Sequence, residues 1–205
     1  MEQPSSALNQ NELLAGLLLR ASGYDAGVQI GTSPQLHLYA IVDASRGPML
    51  IPATLDARAS RVECLYRGKA LEEFGDDTAW VAELLPTEST LDWIVEEGFG
   101  KRWAIFATSR LELAAFVSHL RKFTLIEDDE GTHHFFRFYD PQTLRQFLPA
   151  FDNQQLARFF KGVDAYYLEN TLNPDELIEF RIDGDALTHN THSLRLPMEA
   201  EEFST

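Results

Sequence analysis

The sequence predicts an α/β protein: a mixed α+β arrangement in which helices pack on one mixed sheet and the chain forms two closely associated lobes. Three observations carry this. Short apolar runs of strand length alternate with stretches of helical period along the chain. Residues 133–148, His-His-Phe-Phe-Arg-Phe-Tyr-Asp-Pro-Gln-Thr-Leu-Arg-Gln-Phe-Leu, read as an aromatic strand running straight into a helix. The composition, 44% apolar and 24% charged over 205 residues, is that of an ordinary globular chain. The chain is read as an N-terminal helical extension (1–35), a main α/β lobe (36–150), and a smaller C-terminal lobe with a hairpin and an acidic tail (151–205), with a shift in composition after Pro149.

In chain order, residues 1–10 are polar and expected to fray. Asn11 is placed to cap a helix to about Ser22, with Leu13, Leu14, Leu17 and Leu18 on one face. Gly23, Gly27, Gly31 and Pro34 interrupt the pattern. Leu36 to Val42 is a strand that closes on Asp43, followed by a turn at Arg46-Gly47-Pro48. α/β proteins often put a catalytic or ligand aspartate at such a strand end; the plainer role is to cap the turn or pair with an arginine. A helix is expected over 54–61, a short strand over 63–67, a helical turn over 71–74, and a strand over 80–85 that Pro86 stops. Ser89 can cap a helix with Leu91, Ile94 and Val95 inside, ending at Gly98.

Residues 103–107 are a buried strand. Ser109-Arg110-Leu111-Glu112 has the form of a capping box, and Leu113, Phe116, Val117 and Leu120 form the stripe of the helix behind it. Arg121 and Lys122 suit that helix's C-terminal end. A strand at 123–126 and an acidic hairpin turn at 127–131 lead into the aromatic stretch. Its two faces, Phe135, Arg137, Tyr139 and His134, Phe136, Phe138, are both apolar enough to be covered. That predicts a central strand, with Arg137 in or beside a core and in need of a carboxylate. Asp140 is the N-cap and Pro141 the first residue of the next helix. Asp152 caps another short helix, with Leu156, Phe159 and Phe160 inside and Gly162 at its end. Residues 163–168 form a strand. Residues 177–182 and 186–191 form a hairpin about Asp183-Gly184, and the acidic end from Met198 is expected to be loose.

The formal charge of −15 and pI near 4.7 exclude nucleic acid or an anionic membrane as main partner, because both need a basic footprint. No run approaches the ~20 apolar residues of a membrane span, and the leucine run at 13–19 lacks the basic flank and cleavage site of a signal peptide. A cytoplasmic location is expected. Cys64 stands alone, which excludes an internal disulfide, and is expected to be a buried apolar residue. No phosphate-binding loop, nucleophile elbow or dinucleotide fingerprint is present. His133 and His134 face opposite ways on a strand, and His189 and His192 have no preset geometry, so no metal or other cofactor is expected. Asp43, Asp140 and Arg137 could form an acid/base site; an N-cap and a buried ion pair account for them with ordinary physics.

The order of motifs carries more than any one of them. Leu38-Tyr39-Ala40-Ile41-Val42-Asp43 comes first, then the strand from Trp80, then Gly98-Phe99-Gly100 with Trp103. His119-Leu120-Arg121-Lys122-Phe123 is next, then Gly131 and Phe136-Arg137-Phe138-Tyr139-Asp140-Pro141 with Leu144 and Leu148-Pro149. Over residues 36–170 this resembles the type VI secretion effector-chaperone family, long catalogued only as a domain of unknown function. The resemblance implies a non-enzymatic cytoplasmic adaptor. Such proteins bind a toxic effector and help load it onto the valine-glycine repeat spike or its PAAR tip before export. Asp43, Trp103, Arg137, Asp140 and Pro141 are then structural signature residues. Candidate partner-binding positions are Tyr166 and Tyr167, together with the N-terminal leucine helix, and a groove between the lobes could shield an apolar segment of the effector. The alternatives are an enzyme with an acidic site near Asp43 and Asp140, and a stand-alone protein-interaction module.

Overall fold

The structure, a computed structural model, describes residues 9–25, 28–29, 36–127 and 130–195. In chain order the elements are α1 (Gln10–Ala21), β1 (Tyr24–Asp25), β2 (Val28–Gln29), β3 (His37–Asp43), α2 (Leu50–Arg58), β4 (Val62–Cys64), α3 (Lys69–Phe74), β5 (Ala79–Glu83), α4 (Thr90–Gly98) and β6 (Ala104–Ser109). The chain continues with α5 (Leu113–Leu120), β7 (Leu125–Glu127), β8 (His133–Phe135), α6 (Pro141–Phe147), α7 (Asn153–Phe159), β9 (Val163–Glu169), β10 (Glu176–Asp183) and β11 (Ala186–Ser193).

Seven strands form the main sheet in the order β11-β10-β9-β6-β3-β5-β4. The α+β class is as expected, but the sheet is not mixed: every pairing in it is antiparallel. β6 at the centre pairs with β3 on one side and β9 on the other, so the sheet runs unbroken from the 36–150 stretch into the 151–205 stretch. β3 and β6 are buried along almost their whole length because both faces are covered. One face packs Tyr39, Ile41, Ile105, Ala107 and Tyr166 against α5, α6 and α7 through Phe116, Leu144 and Phe159. The other packs Leu38, Ala40, Val42, Phe106 and Tyr167 against α1, α2 and α4 through Leu14, Leu55 and Ile94. Strand alternation divides the residues this way: neighbours on a strand point to opposite layers.

Several expectations hold closely. Asp140 accepts from the Thr143 amide at 2.8 Å with Pro141 at the first helical position, and Asp152 forms a full capping box with Gln155. The hairpin of β10 and β11 turns at Asp183-Gly184-Asp185 with Gly184 at φ +62°, and Cys64 is buried. α1 also forms, but Asn9 rather than Asn11 caps it, in a capping box with Glu12. The 1–8 end, the turn residues Asp128 and Asp129, and the acidic stretch from Met198 lie outside the described residues.

The aromatic stretch is the main correction. It is not a central strand. Only His133–Phe135 is extended, pairing with β7 in a separate two-stranded sheet. After Phe135 the chain leaves the ladder, and Phe136, Phe138 and Tyr139 enter the core from an irregular segment. Ring contacts to Phe147, Phe151 and Phe159 replace a strand's pleat as the reason for those aromatics. The capping box at 109–112 does not form either. Ser109 is the last residue of β6; its hydroxyl donates to Gly162 O at 2.7 Å and accepts from Leu111 N at 3.0 Å, and α5 begins only at Leu113. Finally, α2 starts at Leu50 rather than 54, with Pro52 tolerated in its first turn.

Candidate functional site

β3 ends at the rim of the sheet, and three separate stretches meet there. Asp43 closes β3, and its amide donates to Trp103 O at 2.7 Å, which ties the strand end to the loop before β6. Its Oδ1 accepts from the Ser45 amide at 3.1 Å and the Ser45 hydroxyl at 2.7 Å, so the carboxylate caps the turn leaving the strand. Asp140 arrives from the other direction as the N-cap of α6. Both aspartates are buried.

Three arginines enclose them. Arg46 sits between the two acids, with Nη2 2.8 Å from Asp140 Oδ2 and Nε 3.7 Å from Asp43 Oδ2. Arg102 donates to Asp140 from Nε at 3.1 Å and from Nη2 at 2.6 and 2.7 Å, a forked grip on both oxygens. Arg137 donates from Nη1 to Ser45 Oγ at 3.2 Å and lies 3.9 Å from Asp43 Oδ2. Arg137 therefore has the carboxylate neighbour it was expected to need, but it is not in the core: its side chain is 52% exposed. Asp43 Oδ2 is buried and has no hydrogen-bond partner among the described residues; the two guanidinium groups just beyond hydrogen-bond reach balance it.

The electrostatics follow from this packing. Burial alone would push the Asp140 carboxyl up, but the Arg102 hydrogen bonds and the Thr143 amide outweigh it and hold it below the usual aspartate range. Tyr139 is pushed up to about 12, first by burial and then by the nearby Asp43 charge. On the far side of Arg102, buried Glu169 accepts from the Gly100 amide; burial leads there, and its carboxyl is raised. Glu169, Gly100 and Arg102 line a cavity of about 140 Å³.

Local structure places the rest. Trp103 lies edge-on to Trp93, with ring centroids 5.7 Å apart. A Cβ on Gly98 would stand 2.9 Å from Trp103 atoms, so glycine is what allows that approach. Arg102 itself adopts φ +62°, an uncommon left-handed backbone that turns its side chain toward Asp140. The five signature positions, Asp43, Trp103, Arg137, Asp140 and Pro141, thus converge at one rim of the sheet. Sequence reasoning missed Arg46, Arg102 and Glu169 as members. The Arg46-Gly47-Pro48 turn was a signal for one of them; Arg102 had only its place beside Trp103.

Tyr166 and Tyr167 are elsewhere. They are neighbours on β9, point into opposite core layers and are fully buried. Burial raises both hydroxyls, that of Tyr167 to about 12. Neither offers a surface to a partner, because strand alternation in a sheet covered on both faces leaves no outward side at these positions. In α1, Leu14 and Leu18 are likewise core. His192 pairs with Glu179 at 2.7 Å, and among the described residues no group of three or more His, Cys, Asp or Glu is placed to hold a metal ion. Also among the described residues, no helix is long and apolar enough to cross a membrane.

Compared with curated proteins and with solved structures, the chain has no match in either set. Residues 38–158, more than half of the chain and including all five signature positions, match the family described as "Domain of unknown function (DUF4123)", and the chain belongs to that family.

Proposed function

We propose that this protein is a non-enzymatic adaptor chaperone of type VI secretion. It binds a toxic effector in the cytoplasm and helps load it onto the valine-glycine repeat spike or PAAR tip before export. The reading rests on the ordered motifs from Leu38 to Pro149, which lie within the family match at residues 38–158. The observation that carries it furthest is the construction of the Asp43–Asp140 rim. Its carboxylates are turned inward and spent on caps and guanidinium groups, as befits a scaffold. Half-exposed arginines and exposed apolar side chains are turned outward, a composition suited to holding another protein. An enzyme using Asp140 as proton carrier would need a carboxyl poised near neutral pH; this one is shifted the other way.

The test is co-expression of the tagged chain with the toxin and spike genes beside its own, followed by the mass of the purified complex. A stable complex, and a toxin that loses solubility when this chain is omitted, is the expected result. A free monomer with the toxin unaffected would refute the adaptor reading.

A further inference from the structure

We propose that the guanidinium face at the end of β3 is a docking surface for a partner segment that carries carboxylates among apolar side chains. The partner's identity rests on the adaptor reading; the chemistry of the segment does not.

The first argument is charge. The chain has 32 acidic residues against 17 lysines and arginines, so most of its surface repels an acidic segment. At this rim the arginines are more exposed than the two acids they hold, and exposed Asp76 and Asp77 lie on the turn packed against residues 44–46. Asp43 and Asp140 are inside, at 0% and 3% exposure, while Arg46 and Arg137 keep 34% and 52% of their side chains in solvent. Within the Asp43–Asp140 cluster itself, what faces outward is guanidinium N–H. Such a patch on an acidic protein steers an acidic segment to one place and one register.

The second is unspent hydrogen-bonding capacity. Among the described residues, Arg137 makes a single hydrogen bond, to Ser45 Oγ. Its guanidinium has five N–H donors in a planar fork that matches a carboxylate.

The third is what flanks the arginines. Met49 and Leu50 lie three and four residues after Arg46 and are 72% and 62% exposed. Phe135, 70% exposed, precedes Arg137 by two residues, and its ring lies 6.4 Å from that of Tyr66. Methionine, aromatic and arginine side chains are those enriched where proteins meet. Met49 also adopts φ +64°, a strained backbone for a non-glycine residue; the strain is kept at a place that leaves an apolar side chain in water.

Three synthetic peptides of equal length test this by fluorescence anisotropy against the full chain. One alternates glutamate with leucine and phenylalanine; one has glutamine for glutamate; one has serine for the apolar residues. The first should bind about tenfold tighter than either of the others, and weaken as salt is raised. Arg137→Gln should weaken it by a similar factor, and Phe135→Ser should weaken it while leaving the melting temperature close to that of the parent. Equal binding of the first two peptides, no binding of any, or unchanged binding by Arg137→Gln would overturn the proposal. The toxin complex separates the two readings. A complex indifferent to Arg137→Gln and Phe135→Ser removes the docking surface and leaves the adaptor. The expected peptide pattern without any toxin complex leaves the surface and removes the adaptor.

Discussion

Two of the arginine–carboxylate clusters among the described residues are built in opposite senses. At the rim of β3, two buried aspartates are enclosed by Arg46, Arg102 and Arg137, and the partners come from far apart in the chain: Arg46 and Asp140 are separated by 94 residues, Arg102 and Asp140 by 38. On the sheet surface of β9, β10 and β11, one arginine, Arg181, pairs with Asp164 and Glu179. Its Nη2 also donates to Tyr167 Oη at 3.0 Å, and His192 holds the other Glu179 oxygen. Those partners are at most 17 residues apart. The first cluster is a clasp between distant segments; the second fixes register among strands that already pair. An ion cluster's contribution therefore depends less on how many charges it holds than on whether anything else holds its segments together.

Asp140→Ala breaks the comparison hardest. It leaves Arg46 and Arg102 without their shared acceptor and strips the cap of α6. A loss of about 3–5 kcal/mol is expected from urea unfolding. Glu179→Ala should cost about 1–3 kcal/mol in the same assay, because Arg181 keeps Asp164 and the ladder on both sides of β10 stays intact. If the two losses were equal, the distinction between clasp and register device would fail. Arg137→Gln should cost less than about 1 kcal/mol, since the side chain is half in solvent.

Acid sharpens the contrast further. Asp140 and Glu179 are both depressed below their ordinary values, 3.8 and 4.5. The stability each contributes is full above its ordinary value and is lost as the pH falls through the depressed one. The gap between the parent and Asp140→Asn, measured by urea unfolding across pH, should thus be widest near neutrality and close only below about pH 4. Glu169 has the opposite sign. Its raised carboxyl favours the folded state most below 4.5, and that contribution disappears as the pH rises through the folded-state value. A carboxyl NMR titration should place its midpoint above 4.5; a midpoint below would mean that the Gly100 amide outweighs burial.

How much of this was legible in the sequence depends on the range of the interaction. The Asp140-Pro141 cap, the Asp152 cap and the Asp183-Gly184 hairpin are local events, written within a few residues, and they read correctly. The aromatic stretch misled because four aromatics in a row of seven satisfy a strand's propensity whether or not a ladder is there to receive them; only the three residues facing β7 are extended. Ser109 misled because its spacing to Glu112 fits a cap, while its hydroxyl is taken by Gly162, which lies 53 residues away. The rim was half legible. Asp43, Arg137, Asp140 and Trp103 stood out, but Arg46 and Arg102 join them only through contacts that the folded chain creates.

The position of β6 has a consequence for how the chain reaches this state. Its partners are β3, about 65 residues before it, and β9, about 60 residues after it. Neither is a hairpin neighbour, so the middle of the sheet cannot close by zipping outward from a tight turn. A nascent chain that has emerged only as far as α7 carries β6 with one side open and both layers' apolar faces incomplete. Folding should then be slow for its size, in the millisecond-to-second range of non-local β topologies. It should also depend on β9, with a ribosome-tethered chain gaining protease resistance only after residues 163–169 have left the tunnel.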